Sequence, residues 1–91
     1  MIRRLLRVEN ELGLHARAAA SLVKLTAQFE SDIKLSRRSN DQKVDGKSIL
    51  GILLLAAAKG TELEVSVEGI DEEAAMDGIT RLFKNRFGET K

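Results

Sequence analysis

The sequence predicts one α+β domain, an antiparallel or mixed sheet with helices on one face. Three observations lead there. Ninety-one residues leave room for a single domain, residues 1–91, and no second. Leu63, Val65 and Val67 alternate with Glu62, Glu64, Ser66 and Glu68, the period of a strand with one buried and one wet face. Ala16, Ala19, Ala20, Val23 and Ala27 recur at helical spacing, so both element types share the chain.

The elements follow in order. Ile2 to Val8 places Ile2, Leu6 and Val8 on one side and Arg3 and Arg7 on the other, a short strand whose alternation Arg4 and Leu5 disturb. Asn10 and Gly13 turn the chain. A helix is predicted over Ala16 to Phe29, its small residues allowing close approach to a sheet. Ile33 and Leu35 among polar neighbours read as a half-buried strand, and Ser39-Asn40-Asp41 as a hairpin into a brief strand at Lys43 and Val44. Ser48 suits the N-cap of a second helix reaching toward Leu54. Lys59-Gly60 turns into the strand Glu62 to Glu68. Asp71 reads as the cap of a last helix, with Glu72 and Glu73 in its positive first turn and Ala75, Ile79, Leu82 and Phe83 as its buried stripe. Arg81, Lys84 and Arg86 sit toward its negative end, and Gly88 closes it.

Composition removes whole classes of function. A chain this short buries only roughly 60–65% of its unfolded surface. With 43% hydrophobic residues and no cysteine, it folds by core packing alone. Disulfide scaffolds, thiolate metal sites and cysteine nucleophiles are excluded. Fifteen basic and fourteen acidic side chains give +1, and three Phe are the only aromatics. That is a poor basis for binding nucleic acid by charge or stacking. The basic start is broken by Arg3, Arg4 and Arg7, which excludes a signal-peptide core. The longest apolar run, Ile49 to Ala58, falls far short of the roughly 20 residues needed to span a bilayer. Cytoplasmic location is the resulting expectation.

Any imidazole chemistry must use His15, the one histidine. It lies where a loop enters the Ala-rich helix, at or beside the N-cap. The N–H groups of Ala16, Arg17 and Ala18 have no intrahelical partner there, and the helix dipole adds positive character. Such a place can hold an anion. A neutral imidazole is a nucleophile, and a phosphoryl group on it would meet those donors and the Arg17 guanidinium. A histidine that merely caps the helix is the alternative, and these residues alone leave both open. No second histidine or cysteine supports a metal site, and no carboxylate is placed near His15 by sequence, although Glu9 or Glu11 could fold back. Gly46-Lys47-Ser48 echoes the end of a phosphate-binding loop, but Asp41 stands where the earlier glycine belongs. Ser48 therefore reads as a cap. The residues after it carry more apolar groups than one buried face uses, which suggests a docking patch.

Two motifs at a set separation resemble HPr, the histidine-containing phosphocarrier family of the phosphoenolpyruvate-dependent phosphotransferase system. They are Gly13-Leu14-His15-Ala16-Arg17 and Val44-Asp45-Gly46-Lys47-Ser48-Ile49-Leu50-Gly51, with Lys59-Gly60 and Glu68-Gly69 in support. The resemblance covers essentially the whole chain. It implies an open-faced β-sandwich of order β-α-β-β-α-β-α, a four-stranded antiparallel sheet with three helices on one face. It implies that His15 takes a phosphoryl group on Nδ1 from Enzyme I and passes it to an EIIA-type acceptor, with no cofactor or metal. The backbone of Ala16 and Arg17 would bind the phosphate, and the Arg17 side chain would stabilise it. Ser48 matches the serine phosphorylated by HPr kinase/phosphorylase in bacteria that have one. Ile49, Leu50 and Leu53 match the apolar docking patch beside it. The protein would be a monomeric carrier serving sugar transport and not an enzyme in its own right; a nitrogen-type or catabolite-control role through Ser48 is the alternative. Ala18 stands where the family usually has proline. Alanine restores one N–H and gives up rigidity worth under ~1 kcal/mol, with no reacting group lost. The substitution hints at a divergent or regulatory branch. A small-ligand regulatory module would account for the architecture but gives the His15-Ala16-Arg17 motif no task.

Overall fold

The computed structural model describes residues 1–90. Its elements are β1 (Ile2–Arg7), α1 (Ala16–Thr26), β2 (Asp32–Arg37), β3 (Gln42–Asp45), α2 (Ile49–Leu54), β4 (Glu62–Glu68) and α3 (Glu72–Lys84), followed by a 3₁₀-type turn over Arg86–Gly88. The four strands form one antiparallel sheet in the order β1-β4-β2-β3. β4 is central on both sides, and this explains the clean alternation of its sequence. Leu63, Val65 and Val67 are fully buried against the helices, whereas Glu62 and Glu68 face water.

Register carries the same division across the sheet. Leu6 sits opposite Leu63, Ile33 opposite Val67 and Leu35 opposite Val65, so the apolar residues share one face. The two residues that disturb the alternation of β1 are explained by its place at the sheet edge. Arg4 lies on the inner side but reaches out to donate from Nη1 to Thr80 Oγ1 of α3 at 2.9 Å, and Leu5 lies on the outer face, 47% exposed. Pairing continues past β1, because Val8 N–H donates to Thr61 O and Val8 O accepts from Gly60 N–H.

Several expectations need correction. α1 ends at Thr26, three residues before Phe29. Thr26 is buried and its Oγ1 donates to Gly46 O at 2.8 Å, which pins the helix end to the turn after β3. The next residues tighten into i→i−3 bonds, Gln28 N–H to Leu25 O and Phe29 N–H to Thr26 O. The buried stripe of α1 is Ala18, Ala19, Leu22 and Thr26, not the line through Ala16, Ala20 and Ala27, which are exposed. Alanine burial is worth little, so Leu22 sets the rotation of the helix. Finally, Asp71 occupies the N-cap of α3 without a side-chain capping bond. Its carboxylate instead accepts from Glu30 N–H at 2.9 Å, Ser31 N–H at 3.0 Å and Ser31 Oγ at 2.5 Å, tying the loop after α1 to α3. Those bonds hold the Asp71 carboxyl below the usual carboxylate range, that from the Ser31 hydroxyl foremost. Glu72 serves the helix start by reaching back to Gly69 N–H at 3.1 Å.

α3 contributes Ala75, Met76, Ile79 and Phe83 to the core, while Leu82 is only half-buried. The helix closes at Lys84. Arg86 therefore belongs to the turn beyond it, where Phe87 folds back onto Phe83 with ring centroids 4.9 Å apart.

Candidate functional site

The loop before α1 is held in place by contacts that do not involve His15. Gly13 has φ +68, and a Cβ there would lie 2.5 Å from Ala57 O, so only glycine fits. Leu14 N–H donates to Ala57 O at 2.9 Å, and the fully buried Asn10 donates from Nδ2 to Gly13 O at 2.7 Å. The loop is thereby clamped to the segment that follows α2.

His15 is the N-cap of α1, with extended backbone and a half-buried side chain, as the sequence placed it. Its carbonyl accepts the first helical bond, from Ala19 N–H at 2.8 Å. Its Nδ1 accepts from Arg17 N–H at 3.3 Å. On the other side of the ring, Nε2 contacts Glu89 Oε2. A carboxylate only accepts hydrogen bonds and a backbone N–H only donates, so the proton belongs on Nε2 and the lone pair on Nδ1. The second Glu89 oxygen accepts from Asn10 Nδ2 at 2.9 Å. The Asn10 amide first, then the His15 imidazole, hold the Glu89 carboxyl below its usual range; partial burial opposes them and the Arg17 charge adds to them.

The Arg17 side chain is exposed and makes no hydrogen bond or ion pair among the described residues. Its guanidinium is free to meet an anion placed on Nδ1. Ala16 is exposed beside it, and Ala18 is fully buried in the first turn. Among the described residues, no three histidine, cysteine, aspartate or glutamate side chains come together as metal ligands.

Ser48 caps α2, its Oγ accepting from Gly51 N–H at 3.0 Å. Lys47 is not free to bind phosphate in a loop. Its Nζ donates to Phe29 O at 2.6 Å, closing the end of α1. Beyond Ser48, Ile49 and Leu50 are 42% and 69% exposed. Leu53 is half-buried and packs on the core, whereas the neighbouring Leu54 is 60% exposed. The exposed apolar surface of α2 is thus Ile49, Leu50 and Leu54. Leu12, also exposed, lies in the clamped loop before His15.

Residues 2–85 match the family model described as the PTS HPr component phosphorylation site. The chain belongs to the HPr family. The phosphocarrier protein HPr of Cupriavidus necator is 46% identical over 89 residues, 98% of each chain. HPr-C-His from Thermoanaerobacter tengcongensis is similar over the full length of both chains, with TM-score 0.94 and 36% identity. Crh of Bacillus subtilis, a catabolite-repression protein seen as a swapped dimer, gives TM-score 0.74 and 32% identity over 94% of this chain and 97% of its own. The open-faced HPr fold and the role of phosphocarrier in the phosphotransferase system follow. HPr proteins work with partner proteins of that system. No helix among the described residues is long and apolar enough to cross a membrane.

Asn10 and Glu89 are the members of the site that sequence reasoning missed. Asn10 looks like any turn asparagine. Glu89 lies 74 residues from His15, and no local pattern joins them.

Proposed function

We propose that the chain relays a phosphoryl group from phosphorylated Enzyme I, through His15, to an EIIA-type acceptor. The observation that carries the reading is the orientation of the His15 ring, with Nδ1 turned toward the free N–H groups of α1 and beside Arg17. The Nδ1 lone pair forms the bond to phosphorus as the bond from phosphorus to the donor breaks, its electron pair leaving with the donor. The dianionic group then sits at the positive helix end. Arg17 N–H exchanges its bond to Nδ1 for one to a phosphoryl oxygen, with Ala16 N–H alongside, and the guanidinium adds a charge-assisted bond. The acceptor's nucleophile reverses the step, and Nδ1 takes its electron pair back. A phosphoamide is more labile than a phosphoserine ester, which suits a group meant to be handed on. In this reading the protein is a carrier and not an enzyme, because it turns over only between its partners. We further propose that it works in the cytoplasm as a single copy.

The test is a chase. Protein labelled from phosphoenolpyruvate and Enzyme I should lose its label to an EIIA protein added afterwards. Label that stays on the chain would count against the relay.

Ser48 supports a regulatory use of the same surface. Its phosphorylation would put roughly −1.5 to −2 charges beside exposed Ile49 and Leu50 while still favouring the start of α2. The charge would weaken docking of Enzyme I and leave the fold intact.

A further inference from the structure

The segment after α3 does more than end the chain. Arg86, Phe87 and Gly88 take φ values of 54°, 55° and 79°, so two residues with side chains stand in the left-handed region. Such positions are costly and persist where surrounding contacts hold them. Here the hold is Phe87, 6% exposed and packed on Phe83. Gly88 N–H donates to Asn85 O and Glu89 N–H to Arg86 O, which turns the chain back toward α1. The result delivers Glu89 to Nε2 of His15, with its second oxygen fixed by the buried Asn10. The residues of this strap lie beyond residue 85, where the family match ends.

We propose that Glu89 is a positioning residue for phosphoryl transfer at His15, held by Asn10 and the Phe87 strap. The inference rests on the carrier reading above. As Nδ1 forms its bond to phosphorus, positive charge develops over the ring and its Nε2–H. The Glu89 carboxylate accepts that hydrogen bond throughout, so the proton stays on Nε2 and the charge is met where it appears. The same contact keeps the neutral ring in the Nε2–H form, with the nucleophilic lone pair always on Nδ1. The charged groups facing Glu89 are His15 and Arg17 of α1; Asn10 from the loop is neutral.

The experiment uses the full chain labelled with ¹⁵N at His15, in native form and as Glu89→Ala and Glu89→Gln. At a pH where the ring is neutral, the native spectrum should show one form, Nε2 protonated and Nδ1 bare. Glu89→Ala should give a mixture of both tautomers and slow phosphoryl uptake from phosphorylated Enzyme I by about tenfold or more, as loss of a charge-assisted hydrogen bond predicts. Glu89→Gln keeps an acceptor without the charge. It should restore the single tautomer and only part of the rate. A Glu89→Ala protein with one Nε2–H tautomer and uptake within about twofold of native would overturn the proposal. If the native chain takes up no phosphate on His15, the carrier reading fails instead, and the tautomer spectra still judge the contact with Glu89.

Discussion

Two helix starts in this molecule are capped by a side chain for different ends. His15 opens α1 and accepts from Arg17 N–H at 3.3 Å; Ser48 opens α2 and accepts from Gly51 N–H at 3.0 Å. The serine bond is the shorter, and no other side chain braces it. The histidine bond is long, and the ring is gripped from behind by Glu89 while its loop is clamped by Asn10 and Ala57. A cap that only stabilises a helix needs one good bond. A cap that must release its hydrogen bond to an incoming group is held from elsewhere, and His15 is held in the way the proposed carrier role requires.

The clamp around His15 can be broken first. Gly13→Ala puts a Cβ against Ala57 O at 2.5 Å with φ at +68. Strain and overlap together should remove about 3 kcal/mol, lowering Tm by about 12–24 °C for a domain of this size. Thermal unfolding by circular dichroism measures it, and a change under ~1 kcal/mol would mean the loop is not clamped as described. Next comes Arg17→Ala. The guanidinium makes no contact in the resting protein, so stability should hold while phosphoryl uptake falls about 10–100-fold. Stopped mixing with phosphorylated Enzyme I would show it, and a native rate would remove Arg17 from the site.

The Ser48 cap should break more gently. Ser48→Ala costs about 1 kcal/mol of stability. Ser48→Asp keeps a cap and should hold that stability while binding Enzyme I more weakly, which calorimetric titration against Enzyme I resolves. Equal binding by the aspartate variant would contradict the regulatory reading.

Acid provides the smallest probe, directed at the opposite end of α1. Asp71 has its carboxyl lowered from the ordinary 3.8, and Glu72 and Glu89 theirs from 4.5. A group with a lowered value in the folded state adds stability that is complete above its unfolded value. That stability is lost as pH falls through the folded value, because the unfolded chain binds the proton more tightly. The protein should therefore weaken progressively below pH 4.5. Asp71→Asn should be less stable than native at neutral pH and converge with it in acid. A constant gap between the two unfolding curves would remove Asp71 from that role.

Much of this was legible locally. The period of β4, the cap at Ser48 and the placement of His15 at the start of α1 each depend on neighbouring residues. The pairing of His15 with Arg17 was legible for the same reason, since both sit in one helical turn. What could not be read depends on distant packing. The rotation of α1 is set by Leu22 meeting the sheet, its early end by Thr26 meeting Gly46, and the use of Asp71 by Ser31. Glu89 and Asn10 belong to this second class. Their role exists only once Phe87 has docked on Phe83 and brought the end of the chain back to the first helix.

The chemical identity of the phosphate the protein carries decides whether His15 is the carrier group. Native chain and His15→Ala are incubated with phosphoenolpyruvate and Enzyme I, and the bound phosphate is mapped and exposed to acid and to base. One acid-labile, base-stable phosphate is expected on His15 and none on the variant. Label on His15→Ala, or an acid-stable phosphate in place of that on His15, would contradict it.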